Sequence, residues 1–142
     1  MTTYKTLRQI DDELPNGFHD ALLQTINLDL VSKVARLSLQ MSVGEPEGIT
    51  DEASDGYKPA TLTLEDLVYF VIETPDLNKK FLASRGVSID AGDATNLDNP
   101  RAPRPLGALP DDAFAYWFFV HEWNCFIHVA ARRASLEWKE DR

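Results

Sequence analysis

The sequence predicts a single α+β domain spanning residues 1–142, dominated by antiparallel sheet with two hairpins and one short N-terminal helix. Three observations carry this. Ala35, Leu37, Leu39, Met41 and Val43 alternate with Arg36, Ser38, Gln40 and Ser42, the period of a strand with one wet face. Phe114, Tyr116, Phe118 and Val120 alternate in the same way near the C-terminus. Residues 44–58 and 91–112 lack periodicity and separate these stretches as two long loops, one acidic and one rich in proline. A chain of 142 residues suits one domain and is long enough to fold on a hydrophobic core alone.

Taken in order, Tyr4, Leu7, Ile10 and Leu14 recur at helical spacing, and Pro15-Asn16-Gly17 stops the helix. From Ala21 the period becomes two, with Leu22, Ile26, Leu28 and Leu30 on one face and Gln24 as the exception. The short connection Val31-Ser32-Lys33 makes this strand and the next an antiparallel hairpin. It has no Gly or Asn, so a loop of about three to five residues is expected rather than a two-residue primed turn. Pro59 to Glu73 resumes strand character, with Glu65-Asp66 marking a bulge. Residues 76–82 suggest a helical turn and Gly86 to Asp90 a short strand. The C-terminal segment reads as two long strands in a hairpin, the second bent or bulged at Arg132-Arg133.

The charge balance excludes some partners. There are 14 Lys and Arg against 23 Asp and Glu, a net charge of −9. Nucleic-acid binding and a polybasic membrane surface are therefore not expected. Residues 45–58 carry a net −4 and residues 90–112 a net −3, so most of the charge falls on the two presumed loops and the strands read as nearly neutral. The single Cys125 permits no intrachain disulfide, and a cytoplasmic location is expected. No stretch reaches the ~18 apolar residues of a spanning helix.

The candidate site residues lie mainly in the C-terminal hairpin. With Trp123-Asn124 as a two-residue turn, His121 opposes Phe126 and Phe119 opposes His128. One face then carries Tyr116, Phe118, Val120, Cys125, Ile127, Val129 and Ala131, which reads as core. The other carries Trp117, Phe119, His121, Phe126, His128 and Ala130, with the two imidazoles as diagonal neighbours about 7–8 Å apart. His19-Asp20 is a second candidate, a histidine beside a carboxylate just ahead of the first strand. Arg132 is a candidate clamp for a carboxylate or phosphate, though an arginine pair that is solvated or paired to Glu137 is the plainer reading. Cys125 falls on the core face, as a buried inert thiol.

No HxH, HExxH or CxxC spacing supports a metal, and no GxxxxGK[ST], GxGxxG or GxSxG supports a phosphate loop or a nucleophile elbow. No cofactor, metal or catalytic residue is expected.

Two strings carry a resemblance. Leu-Pro-Asn-Gly-Phe-His-Asp-Ala (residues 14–21) and His-Glu-Trp-Asn-Cys-Phe-Ile-His-Val-Ala-Ala (residues 121–131) resemble small uncharacterised bacterial β-rich proteins. The acidic, β-rich character is also similar in a generic way to bacterial toxin-immunity proteins. The resemblance implies no activity and no functional residue.

The leading expectation is a non-enzymatic acidic protein-binding module, immunity- or inhibitor-like, with a basic protein as partner. The alternative is a small hydrolase or ligand-binding protein in which His19, Asp20, His121 and His128 converge on one open pocket. A homodimer packed through Trp117, Phe119 and Phe126 is a third reading.

Overall fold

In a computed structural model, residues 4–43, 56–76, 86–93 and 109–139 are described. They form helix α1 (Leu7–Glu13) and strands β1 (Ala21–Asp29), β2 (Val34–Ser42), β3 (Tyr57–Ile72), β4 (Val87–Asp93), β5 (Phe114–Val120) and β6 (Cys125–Trp138). The strands run β1-β2-β3-β6-β5-β4, every neighbouring pair is antiparallel, and β4 pairs back onto β1 to close a barrel. The expected antiparallel sheet is therefore present as a six-stranded barrel with one short helix. Alternation along a strand reveals its wet and dry faces, but closure depends on which distant edges meet, which periodicity does not encode. The interior is filled by Leu37, Leu39, Met41, Leu62, Leu64, Phe118, Ile127 and Val129, among others. Among the described residues no helix is long and apolar enough to cross a membrane.

Helix α1 begins on a capping box. Thr6 Oγ1 accepts from Gln9 N at 3.2 Å, and Gln9 Oε1 accepts from Thr6 N at 2.9 Å. Leu7 and Ile10, one turn apart, join the barrel core. Tyr4 lies ahead of the helix and is exposed. Lys5 makes an isolated bridge to Ala134 that ties this segment to β6.

The expected inward face of β1 changes phase. Ala21 and Leu23 are buried, a bulge at Gln24 shifts the register, and Ile26 then packs on the core. One extra residue moves every later side chain to the other face. Leu28 and Leu30, expected on the inward face, are exposed, Leu30 at 80%. The turn linking β1 to β2 is Leu30–Lys33, between the paired residues Asp29 and Val34.

Strands β3 and β6 change phase together. Ala60, Leu62, Leu64, Ala134 and Leu136 point inward on one side; Leu67, Phe70, Ala131, Val129 and Ile127 do so on the other. The break is Glu65-Asp66 opposite Arg132-Arg133, with Glu65 paired to Arg133 and no register change across it. Asp66 has φ 53°, and its Oδ2 lies 2.8 Å from an Arg133 Nη. The bulge expected at Glu65-Asp66 is located at Val68, between the paired residues Leu67 and Tyr69.

The boundaries of the two expected loops also move. Tyr57 and Lys58 belong to β3, while Ala91, Gly92 and Asp93 belong to β4. Residues 44–55, 77–85 and 94–108 lie outside the described residues, and with them most of both expected loops and of the helical turn at 76–82. Asp90 and Asp93 thus carry charge on a strand, and the described residues hold 15 Asp and Glu against 8 Lys and Arg. The strands themselves hold six Asp and Glu against four Lys and Arg, close to neutral, and the rest of this excess lies outside them.

Candidate functional site

His19 and His121 meet at a residue that sequence reasoning did not single out, Asp90. Val87 and Ile89 point into the barrel, so the alternation of β4 turns Asp90 outward. His19 Nδ1 bonds to Asp90 Oδ1, and His121 Nε2 lies 2.8 Å from Asp90 Oδ2. His19 Nε2 lies 3.3 Å from Asp20 Oδ2. The signal for Asp90 was present in the spacing Val87-x-Ile89-x, but its charge had been assigned to a loop.

Local structure fixes this arrangement. The turn ahead of β1 passes through Gly17 at φ 56°, where a Cβ would stand 2.3 Å from Asp11 Oδ1. That carboxylate accepts from Phe18 N at 2.9 Å, and Phe18 is buried in the core. Asp20, at φ 60°, donates its N–H to Ile89 O at 3.0 Å. His121 N donates to Ser88 O at 3.0 Å, and Ser88 N donates to Glu122 Oε2 at 2.6 Å. The hydrogen bond to Asp90 raises the His19 pKa, helped by the charges of Asp90 and Asp20. Partial burial pushes the Asp90 carboxyl up, but the two histidine hydrogen bonds outweigh it and hold it below the usual carboxylate value.

His128 does not join them. The turn between β5 and β6 is His121–Asn124, with Val120 opposite Cys125, so Phe119 faces Phe126 and Trp117 faces His128. The expected register, with a two-residue turn and His121 opposite Phe126, is therefore displaced, and His121 sits in the turn. Asn124 takes φ 50° there, a conformation that Asn tolerates well. His128 is 2% exposed and its Nε2 lies 3.0 Å from Glu73 Oε2. Glu73 Oε1 accepts from Phe126 N at 3.0 Å. Among the described residues His128 Nδ1 has no hydrogen-bond partner. His19 and His121 thus share Asp90, with Asp20 beside His19, while His128 is buried on a separate carboxylate, Glu73, and does not converge with them.

The inward face of the β5–β6 pair is the expected one, with Tyr116, Phe118, Val120, Cys125, Ile127, Val129 and Ala131 all buried. On the outer face, Trp117 and Phe119 pack on Phe126, Phe119 meets the His121 ring edge-on, and Phe126 stacks on His128. Trp123 packs on the core cluster. Arg132 and Arg133 are paired, but not to Glu137: Arg132 Nε reaches Asp112 Oδ1 at 3.0 Å, and Arg133 reaches Asp66. Glu137 instead stands opposite Thr61 in the ladder.

A separate cleft of about 320 Å³ opens beside α1. Asp93, Asp111 and Asp112 line it with Arg8, over a floor that includes Ala113, Phe114 and Tyr116. Arg8 lies 3.7 Å from Asp93 Oδ2, longer than a hydrogen bond, and its side chain is exposed. Three carboxylates against Arg8 and the Arg132 that pairs with Asp112 leave the cleft one charge negative. Among the described residues no group of three or more His, Cys, Asp or Glu is arranged to hold a metal ion. Comparison of the chain with protein-family models, with curated proteins and with solved structures finds no match.

Proposed function

We propose that this chain is an acidic protein-binding module, immunity- or inhibitor-like, that engages a basic partner through the cleft beside α1. The observation that carries this reading is the cleft's lining. Asp93, Asp111 and Asp112 line it with Arg8, Arg132 pairs with Asp112, and the apolar floor suits the methylene stem of an incoming Lys or Arg. The net charge of −9 supports it by favouring encounter with a cationic surface. The alternative hydrolase reading has less support, because His128 is engaged by Glu73, away from His19 and His121.

The test is affinity capture from native lysate at low and high salt, using the natural chain and an Asp93→Asn/Asp111→Asn variant. Asp112 is left intact because it also pairs with Arg132. The reading expects a basic protein held at low salt, released at high salt and absent from the variant. Equal recovery on the variant, or retention indifferent to salt, overturns it.

A further inference from the structure

The barrel closes through its shortest ladder. β1 meets β4 at only three residue pairs, Ala21–Ile89, Leu22–Ser88 and Leu23–Val87, whereas β2 and β3 share nine. The His19–Asp90–His121 cluster sits at this seam and links three parts of the chain: the turn ahead of β1, strand β4 and the β5–β6 turn. His19 stands between two carboxylates on opposite sides of the seam, Asp20 leading into β1 and Asp90 on β4.

We propose that this cluster is a pH-responsive latch: a charged His19 bridges Asp20 and Asp90 and holds the β1–β4 seam shut, and its deprotonation frees the seam to open. The charge arithmetic favours this. With imidazolium between them, the two carboxylates are each attracted to the same cation. Once it is neutral, Asp20 and Asp90 face one another as like charges with no cation between them, and attraction across the seam becomes repulsion. The other groups nearby do not replace the cation. Glu122 is a further carboxylate and accepts from Ser88 N, His121 is already bonded to Asp90 Oδ2, and Tyr57 contributes only a hydroxyl donated to Asp20 O at 3.1 Å. The Phe119 ring supplies no charge.

The working range follows from the signs. The His19 pKa is raised, so its contribution is complete below about 6.5, the ordinary imidazole value, and is lost as pH rises through the raised value. The Asp90 pKa is lowered, so its charge persists through that range and disappears only as pH falls through that lowered value. His19 is largely exposed, so added salt weakens the latch.

The test is amide hydrogen exchange by NMR at pH 6 and pH 8.5, with protection normalised to the intrinsic rate at each pH. The probes are the Asp20 and His121 amides, which donate across the seam to Ile89 O and Ser88 O. Core amides at Leu37 and Leu62 report whether the barrel itself stays folded. The latch expects seam protection to drop by roughly threefold or more at the higher pH, while the core amides do not change. His19→Gln removes the pH dependence, and Asp90→Asn lowers seam protection at pH 6 and relieves the repulsion at pH 8.5, so it flattens the pH dependence as well. Equal protection at both pH values in the natural chain overturns the latch, as does an unchanged pH dependence in His19→Gln. Restoration of seam protection at pH 8.5 by micromolar Zn²⁺, lost in Asp90→Asn, overturns it in favour of a metal centre.

Discussion

The Trp117 indole lies against the backbone of Gly92, so close that a Cβ on residue 92 would stand 2.3 Å from ring atom Cζ2. The two residues are cross-strand partners in the β4–β5 ladder. Glycine is therefore required for contact rather than for turning. The ring is not free to retreat, because it also packs edge-on against Phe126 with centroids 5.4 Å apart. Gly92→Ala forces one of these contacts to give and is expected to cost about 1–3 kcal/mol, the usual penalty of overpacking. Urea unfolding followed by tryptophan fluorescence measures it. A variant as stable as the natural chain would show that the indole moves aside without loss.

Glu73 offers a test of the buried histidine. Its carboxylate accepts from both Phe126 N and His128 Nε2. Glu73→Ala removes both acceptors and leaves a 2%-exposed imidazole with neither nitrogen bonded. The expected loss is about 2–3 kcal/mol, since an unsatisfied buried polar group costs more than its bond contributes. Adding His128→Phe removes the orphaned imidazole, so the double variant should recover part of the loss. A double variant that is worse by the full sum of the single changes would count against the pairing.

These pairs show what was legible in the sequence and what was not. Period two located the strands and the core face from Tyr116 to Ala131, because burial of alternate residues is a local property. The same rule misassigned Leu22 and Leu23, because the bulge at Gln24 reverses the faces between Leu23 and Ile26. Leu28 and Leu30 stay in phase with Ile26 but lie beyond the β1–β4 pairing, which ends at Leu23. Glu65-Asp66 and Arg132-Arg133 were each visible as breaks in a pattern. That they lie opposite one another depends on pairing between strands some 65 positions apart in the chain. Asp90 and Glu73 went unrecognised for the same reason: each acquires its histidine partner only when the barrel closes. His19 is marked in the sequence by its neighbour Asp20 and His121 by its place in the aromatic hairpin, and only the fold shows that the two share one carboxylate.

Tyr116 links the barrel to α1. Its hydroxyl donates to Asp11 Oδ2 at 2.6 Å, while Asp11 Oδ1 accepts from Phe18 N. Burial, reinforced by the hydrogen bond to Asp11 and its charge, drives the phenol pKa far above its ordinary value of 10. The sign follows: a group whose pKa is raised on folding stabilises the fold fully below its unfolded value. That stability is lost as pH climbs above 10 toward the folded value. Absorbance near 295 nm during alkaline titration should show Tyr116 ionising only together with unfolding. Tyr116→Phe should remove that late component and cost about 1.5–3 kcal/mol at neutral pH, the worth of a hydrogen bond to a charged acceptor. Ionisation of Tyr116 near pH 10 with the fold intact would contradict the arrangement.

Lys33 is a place where the chain holds strain that can be relieved. It closes the Leu30–Lys33 turn at φ 58°, in the left-handed region where a Cβ crowds the following carbonyl. Asn124 has a similar φ of 50° in the β5–β6 turn, where the side chain suits the conformation. The turn itself is well held: Asp29 Oδ1 accepts from Val31 N at 3.1 Å and from Ser32 N at 3.0 Å, and Lys33 O accepts from Leu67 N at 3.0 Å. Of these bonds only the last involves residue 33, through its backbone oxygen, so all three survive a change of its side chain. The exposed position also leaves no packing to lose. Lys33→Asn is therefore expected to raise stability by about 0.5–1 kcal/mol, without the unfolded-state entropy that Gly would add. A urea midpoint shifted upward with an unchanged slope would be the confirming result. A lower midpoint would mean that Lys33 makes a contact outweighing its backbone strain.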